Sequence, residues 1–557
     1  MSIKSDFASL TLPPRYACGP LPLLSAGAKV LLIDIQSDGI KSKISHFLIN
    51  LHSSIPHMAN PLKQLAGETA IYGLSTILAR VINFMLLPLY TRVLTTSDYG
   101  VFTELMSYIA VLQVVLVLGL ETGCFRYASR EGVDKNSVFS NAFICTGLLC
   151  LLFLGTAVLF RGGISTALGY PGHGKMMVYT GLILALDCPM SIIFAKLRHE
   201  HKALKFALVK TAKILTEVGA NLVFYLILPA RFIANPEHWM TNLISSTPDF
   251  TYPIFAILTS CILCGLLLIP EILKLHIRLD SKLAREMLVY SLPLMIAALP
   301  GIMNDLVDRI LMRFANADPV NWRADLGVYQ AGVKIAVIMQ LFSQMFRYAA
   351  EPFFFQREKE DGSRTIYADV LNYFTAFCML GFLMIMLFMD QIGLIVGRNF
   401  RDGLSIAPIM LMAYILTGML FNVNMWYKLS GKTMYALWIT LAGLAVSCVI
   451  DFSLMPVYSY HAAAWGHVAS YLTMLVLTAA LGRKYYPVPY NWGLLMLVIA
   501  SGIGLWYVST LIPQMSLWPQ LLINTAFVIA YITILFAIFV IRKRVNNDRK
   551  NRKPFNI

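Results

Sequence analysis

Arg80 lies near the middle of residues 67–102, an apolar stretch of membrane-spanning length. A charge at a bilayer centre costs roughly 2.5–3.5 kcal/mol on insertion scales, so it faces a bundle interior or a water-filled cavity rather than lipid. The neighbouring polar residues keep to one side: Glu68, Tyr72, Thr76, Arg80 and Asn83 follow at steps of four, four, four and three, one face of a helix. Two uses are open to Arg80: it lines an aqueous interior with these residues, or it pairs with a carboxylate such as Glu104 or Asp187 and holds helices together.

Other apolar stretches carry comparable groups. Asn304 and Asp308 share a helix face, while Asp305 and Arg309 are spaced as an i,i+4 pair. Lys334 lies inside a later stretch, on which Gln340, Gln344, Arg347 and Glu351 form a polar face and Arg347 can pair with Glu351. Lys213, Glu217 and Asn221 fall at successive steps of four, which predicts that Lys213 and Glu217 neutralise each other. The expected cavity set is Thr76, Arg80, Asn83, Asp308, Arg309, Lys334 and Arg347, with a structural pair between the two halves of the bundle as an equal alternative for Asp308 and Arg309. Asp187, Glu217 and Asp451 are candidates for coupling to H⁺ or Na⁺, because a carboxylate in a membrane can exchange a proton or hold a cation. No other cofactor and no metal is expected. Cys261 and Cys264 form a CxxC inside an uninterrupted apolar segment without a second ligand pair, and His199 and His201 stand in a loop without further ligands. No glycine loop that could cradle phosphates is present, which argues against ATP hydrolysis.

The elements that position these residues follow from composition. Of 557 residues 57% are hydrophobic and only 13% charged, too few charges to solvate a globule. Fourteen segments are long enough to span a core of about 30 Å. They lie near 67–90, 101–120, 138–160, 176–195, 212–229, 254–272, 287–313, 328–352, 366–388, 404–426, 434–455, 462–481, 492–511 and 519–541. The expected fold is all-α and polytopic. The longest connection, 230–253, leaves no room for a large extramembrane domain. With the N-terminus inside, about 27 Lys or Arg fall in even-numbered loops and the C-terminal tail, against about 7 in odd-numbered loops, which predicts cytoplasmic termini. The net charge of +15 is spread over these short loops, so anionic lipid rather than nucleic acid is the expected partner; Lys196–Lys213 and the tail from 542 read as topological and lipid-contacting charge. Residues 1–57 lack both a span and a signal-peptide pattern and read as an upstream extension, with Met58 as the expected start.

A short repeat links two regions. DYGVF at 98–102 recurs as DLGVY at 325–329, each opening a helix after an Arg-bearing span. The stretch PLYTRVLTTSDYGVF (88–102) resembles the end of the first helix in Wzx-like polysaccharide flippases of the MOP superfamily, which also holds the MATE exporters and lipid II flippases. DRILMRF (308–314), DLGVYQAGVKIA (325–336), EPFF (351–354), KLSGKT (428–433) and AAAWGHVASY (462–471) are similar to further elements of that family. Three positions depart from its pattern: Ala462 and His467 stand where Gly and Thr are usual, and Asp451 where Asn is frequent.

The resemblance implies two six-helix lobes, 58–272 and 273–486, around a central alternately accessible cavity, followed by two extra helices in 487–541 and a basic tail, 542–557. It implies a bacterial inner-membrane flippase for undecaprenyl-diphosphate-linked oligosaccharide, serving surface polysaccharide (O-antigen, lipopolysaccharide) biosynthesis, with membrane lipids and assembly proteins such as a polysaccharide polymerase as partners. Arginine suits such cargo, because its fork of donors matches a diphosphate. An ion-coupled MATE-like exporter of small molecules is the alternative; for small cations it would call for an acidic cavity. A membrane enzyme such as an O-antigen polymerase would call for a large outside loop with catalytic residues.

Overall fold

In a bilayer every backbone polar group must be satisfied within the protein, and this chain does so with helices. A computed structural model describes residues 73, 76–78 and 80–551, apart from 235–238, 276, 317, 319, 359–361 and 514. The proposed extension 1–57 and the face residues Glu68 and Tyr72 lie outside the described residues. No strand occurs among the described residues, and fourteen helices are long and apolar enough to cross a membrane. They are α1 Thr76–Val93, α2 Thr96–Ala128, α3 Lys135–Leu159, α4 Gly174–His199, α5 Ala203–Ala234, α6 Thr251–Ile272, α7 Ser281–Ala315, α8 Trp322–Phe355, α9 Ser363–Leu387, α10 Arg398–Leu429, α11 Met434–Tyr458, α12 Tyr460–Tyr485, α13 Trp492–Thr510 and α14 Leu517–Arg542. The chain is an all-α multi-pass membrane protein.

Polar side chains at the loop ends start several spans. Thr95 accepts the Asp98 amide at 3.0 Å and opens α2, Asp134 accepts the Asn136 and Ser137 amides ahead of α3, and Asp280 accepts the Lys282 and Leu283 amides ahead of α7. Each satisfies donors that a helix leaves unpaired at its start. α2 is interrupted where Leu118 and Gly119 take positive φ of 57° and 68°, and a Cβ on Gly119 would lie 2.7 Å from the Ser291 carbonyl oxygen. This bend seats the last turns of α2 against α7.

Packing repeats with an offset of six helices. α3 packs on α4, α4 on α6 and α5 on α6; in the same order α9 packs on α10, α10 on α12 and α11 on α12. The two sets meet where α2 runs against α8 and α7. Side chains settle which helices are central: α4, α8 and α10 are 61% buried over their most apolar windows, whereas α13 and α14 are 17% and 11% buried and turn Met496, Leu497, Leu522 and Phe536 outward. Between helices that gain little from the hydrophobic effect in lipid, close backbone approach at small residues supplies much of the attraction. That approach is very close at the repeated motif, where α2 and α8 cross at Gly100 and Gly327.

Candidate functional site

Two polar compartments follow one another along α1, α2, α5 and α8. The larger, about 570 Å³, is lined by Thr76, Gln113, Glu121, Asp187, Ser191, Arg198, Lys210, Lys213 and Tyr348, beside the α4–α5 connection. The smaller, about 250 Å³, is lined by Asn83, Tyr90, Tyr99, Ser107, Glu217, Arg309, Gln330 and Lys334, beside the α1–α2 connection. Lys213 and Glu217 are one turn apart on α5, and Thr76 and Asn83 two turns apart on α1, so the compartments are stacked along shared helices.

In the larger compartment three cations face two carboxylates. Arg198 pairs with Glu121 at 3.0 Å, and Lys213 pairs with Asp187, which also accepts from Gln113 at 3.1 Å. Lys210 makes no ion pair with a described residue; its ammonium lies 5.0 Å from the Phe206 ring centroid. In the smaller compartment two cations face one carboxylate. Glu217 accepts from Asn83 at 3.3 Å, while neither Arg309 nor Lys334 has an ion-pair partner among the described residues. A cation within a membrane that has no direct ion pair is a candidate position for an anion to bind or pass.

Arg80 is exposed on α1 between the levels of Thr76 and Asn83 and lines neither compartment. Neither carboxylate expected as its partner takes it. Asp187 is held by Lys213, and Glu104 is held by Tyr170, by Tyr108 at 2.9 Å and by Arg313 at 3.8 Å. Arg80 makes no hydrogen bond or ion pair with a described residue.

The face of the bundle beyond the smaller compartment is shut by contacts between the two sets of helices. Gly100 and Gly327 touch through their backbones, and a Cβ on Gly397 would meet the Thr91 carbonyl oxygen at 1.8 Å. Arg313 donates to the Ala167 carbonyl at 2.8 Å and Arg323 to that of Gly169 at 2.7 Å, tying α7 and α8 to the α3–α4 connection. Burial and the Glu104 charge push the Tyr170 hydroxyl well above its ordinary range, so it stays protonated as a donor to Glu104.

The structure thus divides the expected residues. Thr76 and Asp187 line the larger compartment, and Asn83, Glu217, Arg309 and Lys334 the smaller. Arg347 lines neither; it lies 3.7 Å from Glu351, which is also bound by Lys428 at 2.6 Å, so the local pair joins α8 to the end of α10. Asp308 and Asp451 line neither compartment and are fully buried within the second set of helices. Two expected pairs are replaced. Lys213 pairs with Asp187 rather than Glu217, and Asp305 accepts from Tyr471 rather than pairing with Arg309. In each case a partner from another helix lies closer than the neighbour one turn away. Arg198 and Lys210, read from sequence as lipid-facing charge, point into the larger compartment instead. Their signal was the density of cations in one short connection.

Comparison with known proteins agrees with this architecture. The sequence profile of the family described as "Polysaccharide biosynthesis protein" matches residues 65–358, more than half of the chain. No curated protein sequence matches it. The solved structure entitled "Lipid II flippase MurJ, inward closed conformation" superposes with a TM-score of 0.66 at 12% identity, covering 84% of this chain and 99% of that one. A second, "Crystal structure of MATE in complex with MaD3S", gives 0.48 at 14% identity over 76% of this chain and 94% of that one. The first likeness establishes a shared fold.

Proposed function

This chain belongs to the polysaccharide biosynthesis protein family, and on that premise we propose that it is a flippase that carries undecaprenyl-diphosphate-linked oligosaccharide across a bacterial inner membrane. The observation that carries the reading is the pair of stacked compartments that each hold a cation without a direct ion pair to a described residue: Lys210 in the first, Lys334 and Arg309 in the second. A diphosphate and a polar glycan cannot cross about 30 Å of hydrocarbon without replacement for their water. Fixed cations and hydroxyl or amide groups offer that replacement, arginine doing so with a paired fork of donors.

The segments 58–272 and 273–486 act as two lobes, with the helices of 487–541 on the periphery. The cation-rich α4–α5 side faces the cytoplasm by the charge asymmetry of the loops, so the conformation described here receives cargo from within while the Gly100–Gly327 crossing holds the far side shut. Transport proceeds by parting that crossing and closing the larger compartment. No chemical bond is made or broken. An exporter of small cations is disfavoured by the same lining, which would repel its cargo. The polymerase and other assembly proteins that would use the delivered glycan are its expected partners.

The test is cellular. Loss of the gene should cause undecaprenyl-linked glycan to accumulate on the cytoplasmic leaflet, read by lipid analysis. Unchanged amounts of that lipid, with surface polysaccharide intact, would rule the reading out.

A further inference from the structure

Three ionisable side chains that line neither compartment meet inside the second set of helices. Asp308 on α7, Asp451 on α11 and His467 on α12 are 0%, 0% and 3% exposed. His467 Nε2 lies 3.2 Å from Asp308 Oδ2. Asp451 receives the Ser447 hydroxyl at 3.3 Å and packs against Gly466, where a Cβ would lie 2.6 Å from Asp451 Oδ1. Both Asp308 oxygens, Asp451 Oδ1 and both His467 ring nitrogens lack a regular hydrogen bond to any described residue. Buried polar atoms are seldom left so in a native protein, and several at one point mark a place where something else binds.

The surroundings are equally defined. On α7, Asp305 accepts from Tyr471 and Arg309 follows Asp308 directly; Asn304 accepts from Ser470 of α12 at 2.6 Å. Tyr471 stacks on the His467 ring with centroids 5.8 Å apart. Tyr329 of α8 and Tyr414 of α10 also lie around Asp308 and Arg309, and Lys334 of α8 stands beside Arg309 in the smaller compartment. Three carboxylates therefore stand near one arginine and one imidazole, and the balance changes with a single proton on the imidazole.

We propose that His467, Asp308 and Asp451 form a proton-binding site of the second set of helices, and that its occupancy is coupled to anion binding at Arg309. When His467 takes a proton from water, its imidazolium pairs with Asp308, and Arg309 is left to an anion in the smaller compartment. When the proton returns to water, Asp308 keeps Arg309 as its counter-charge. Proton and anion thus favour each other's binding, a reciprocal coupling. The coupling half rests on the cargo reading above; the proton site does not.

The experiment uses the full chain in lipid nanodiscs without cargo, titrated from about pH 5 to about pH 8 and read by infrared difference spectra of the imidazole and carboxyl bands. The expected result is one histidine component, besides those of the other nine histidines, that is absent in His467→Gln, displaced in Asp451→Asn, and the same in sodium and potassium chloride. His467→Asn, with unfolding temperature and monodispersity measured alongside, separates a lost proton site from a lost fold. Spectra of His467→Gln identical to those of the unmodified protein would overturn the site, and so would a midpoint set by sodium concentration, which would make it a cation site. Pyrophosphate affinity is then measured at both ends of the pH range, and about tenfold tighter binding at the acid end, lost in His467→Gln, is expected. Pyrophosphate binding that ignores pH would overturn the coupling alone. Failure of pyrophosphate to bind at either pH would overturn the cargo reading and the coupling with it, while the infrared titration still decides the proton site.

Discussion

Gly100 and Gly327 exclude each other's side chains. A Cβ on Gly100 would lie 1.8 Å from the Arg323 carbonyl oxygen, and a Cβ on Gly327 would lie 2.0 Å from that of Thr96, each oxygen one turn before the opposite glycine. The two copies of the repeated motif therefore cross with their backbones in contact, as related elements do about a two-fold axis. Because an even number of spans separates them, both point the same way through the membrane, and the axis runs along its normal.

Alanine at either glycine should open this crossing. The added methyl must displace backbone, which in tightly packed sites costs about 1–3 kcal/mol, enough to shift a two-state equilibrium roughly 5- to 150-fold. Spin labels on Ser97→Cys and Val320→Cys should report a longer or second distance in Gly100→Ala and Gly327→Ala. An unchanged single distance in both would mean that the crossing holds no closed state.

The contacts around Glu104 predict a weaker version of the same effect. Glu104→Gln removes the charge facing Arg313 while leaving an acceptor for the Tyr170 hydroxyl, and Arg323→Ala removes the bond to the Gly169 carbonyl. Each should shift the same label distance partway, and the double variant further. If the double variant matches the unmodified protein, the α3–α4 connection does not latch this face.

Removing Lys213 leaves Asp187 without its cation in a cavity wall. Lys213→Met should lower the unfolding free energy by roughly 1–3 kcal/mol, Asp187→Asn by less, and the pair together by less than their sum. A thermal double-mutant cycle in detergent measures this, and additive losses would show that the pair contributes no coupling.

Arg80 and Arg347 should behave oppositely. Arg80 holds no partner among the described residues, so Arg80→Ala should leave unfolding temperature nearly unchanged while undecaprenyl-linked glycan builds up inside. Arg80→Lys should be milder if charge alone matters, and equally impaired if the fork of donors matters. Arg347 is half exposed beside Glu351 and Lys428, so Arg347→Ala should change glycan export less than about twofold. Normal export by Arg80→Ala would remove that residue from the path.

Helical spacing made the wall of the cavity legible before any coordinates. Thr76, Arg80 and Asn83 share a face because their spacing is local, and the structure sets Thr76 and Asn83 in successive compartments while Arg80 lines neither. The same reasoning failed wherever a neighbour on another helix competed with one on the same helix. Lys213 reaches Asp187 across from α4, and Asp305 takes the Tyr471 hydroxyl across from α12, contacts that no periodicity within one span can report. His467 was seen only as a departure from a motif, because its meaning lies in Asp308 and Asp451 arriving from two other helices. The repeat at Gly100 and Gly327 was visible, yet their mutual contact required knowing that α2 and α8 are adjacent.

The central claim is that a lipid-linked glycan crosses the membrane through the cationic compartments. Purified protein is reconstituted into vesicles carrying fluorescent undecaprenyl-diphosphate oligosaccharide, and an impermeant reductant bleaches the headgroups exposed outside. The account predicts that protein-containing vesicles lose nearly all their fluorescence, whereas protein-free vesicles and vesicles with Arg80→Ala or Lys334→Ala keep about half in the shielded leaflet. Bleaching that is the same with and without protein, or that both variants support at the full rate, would contradict it.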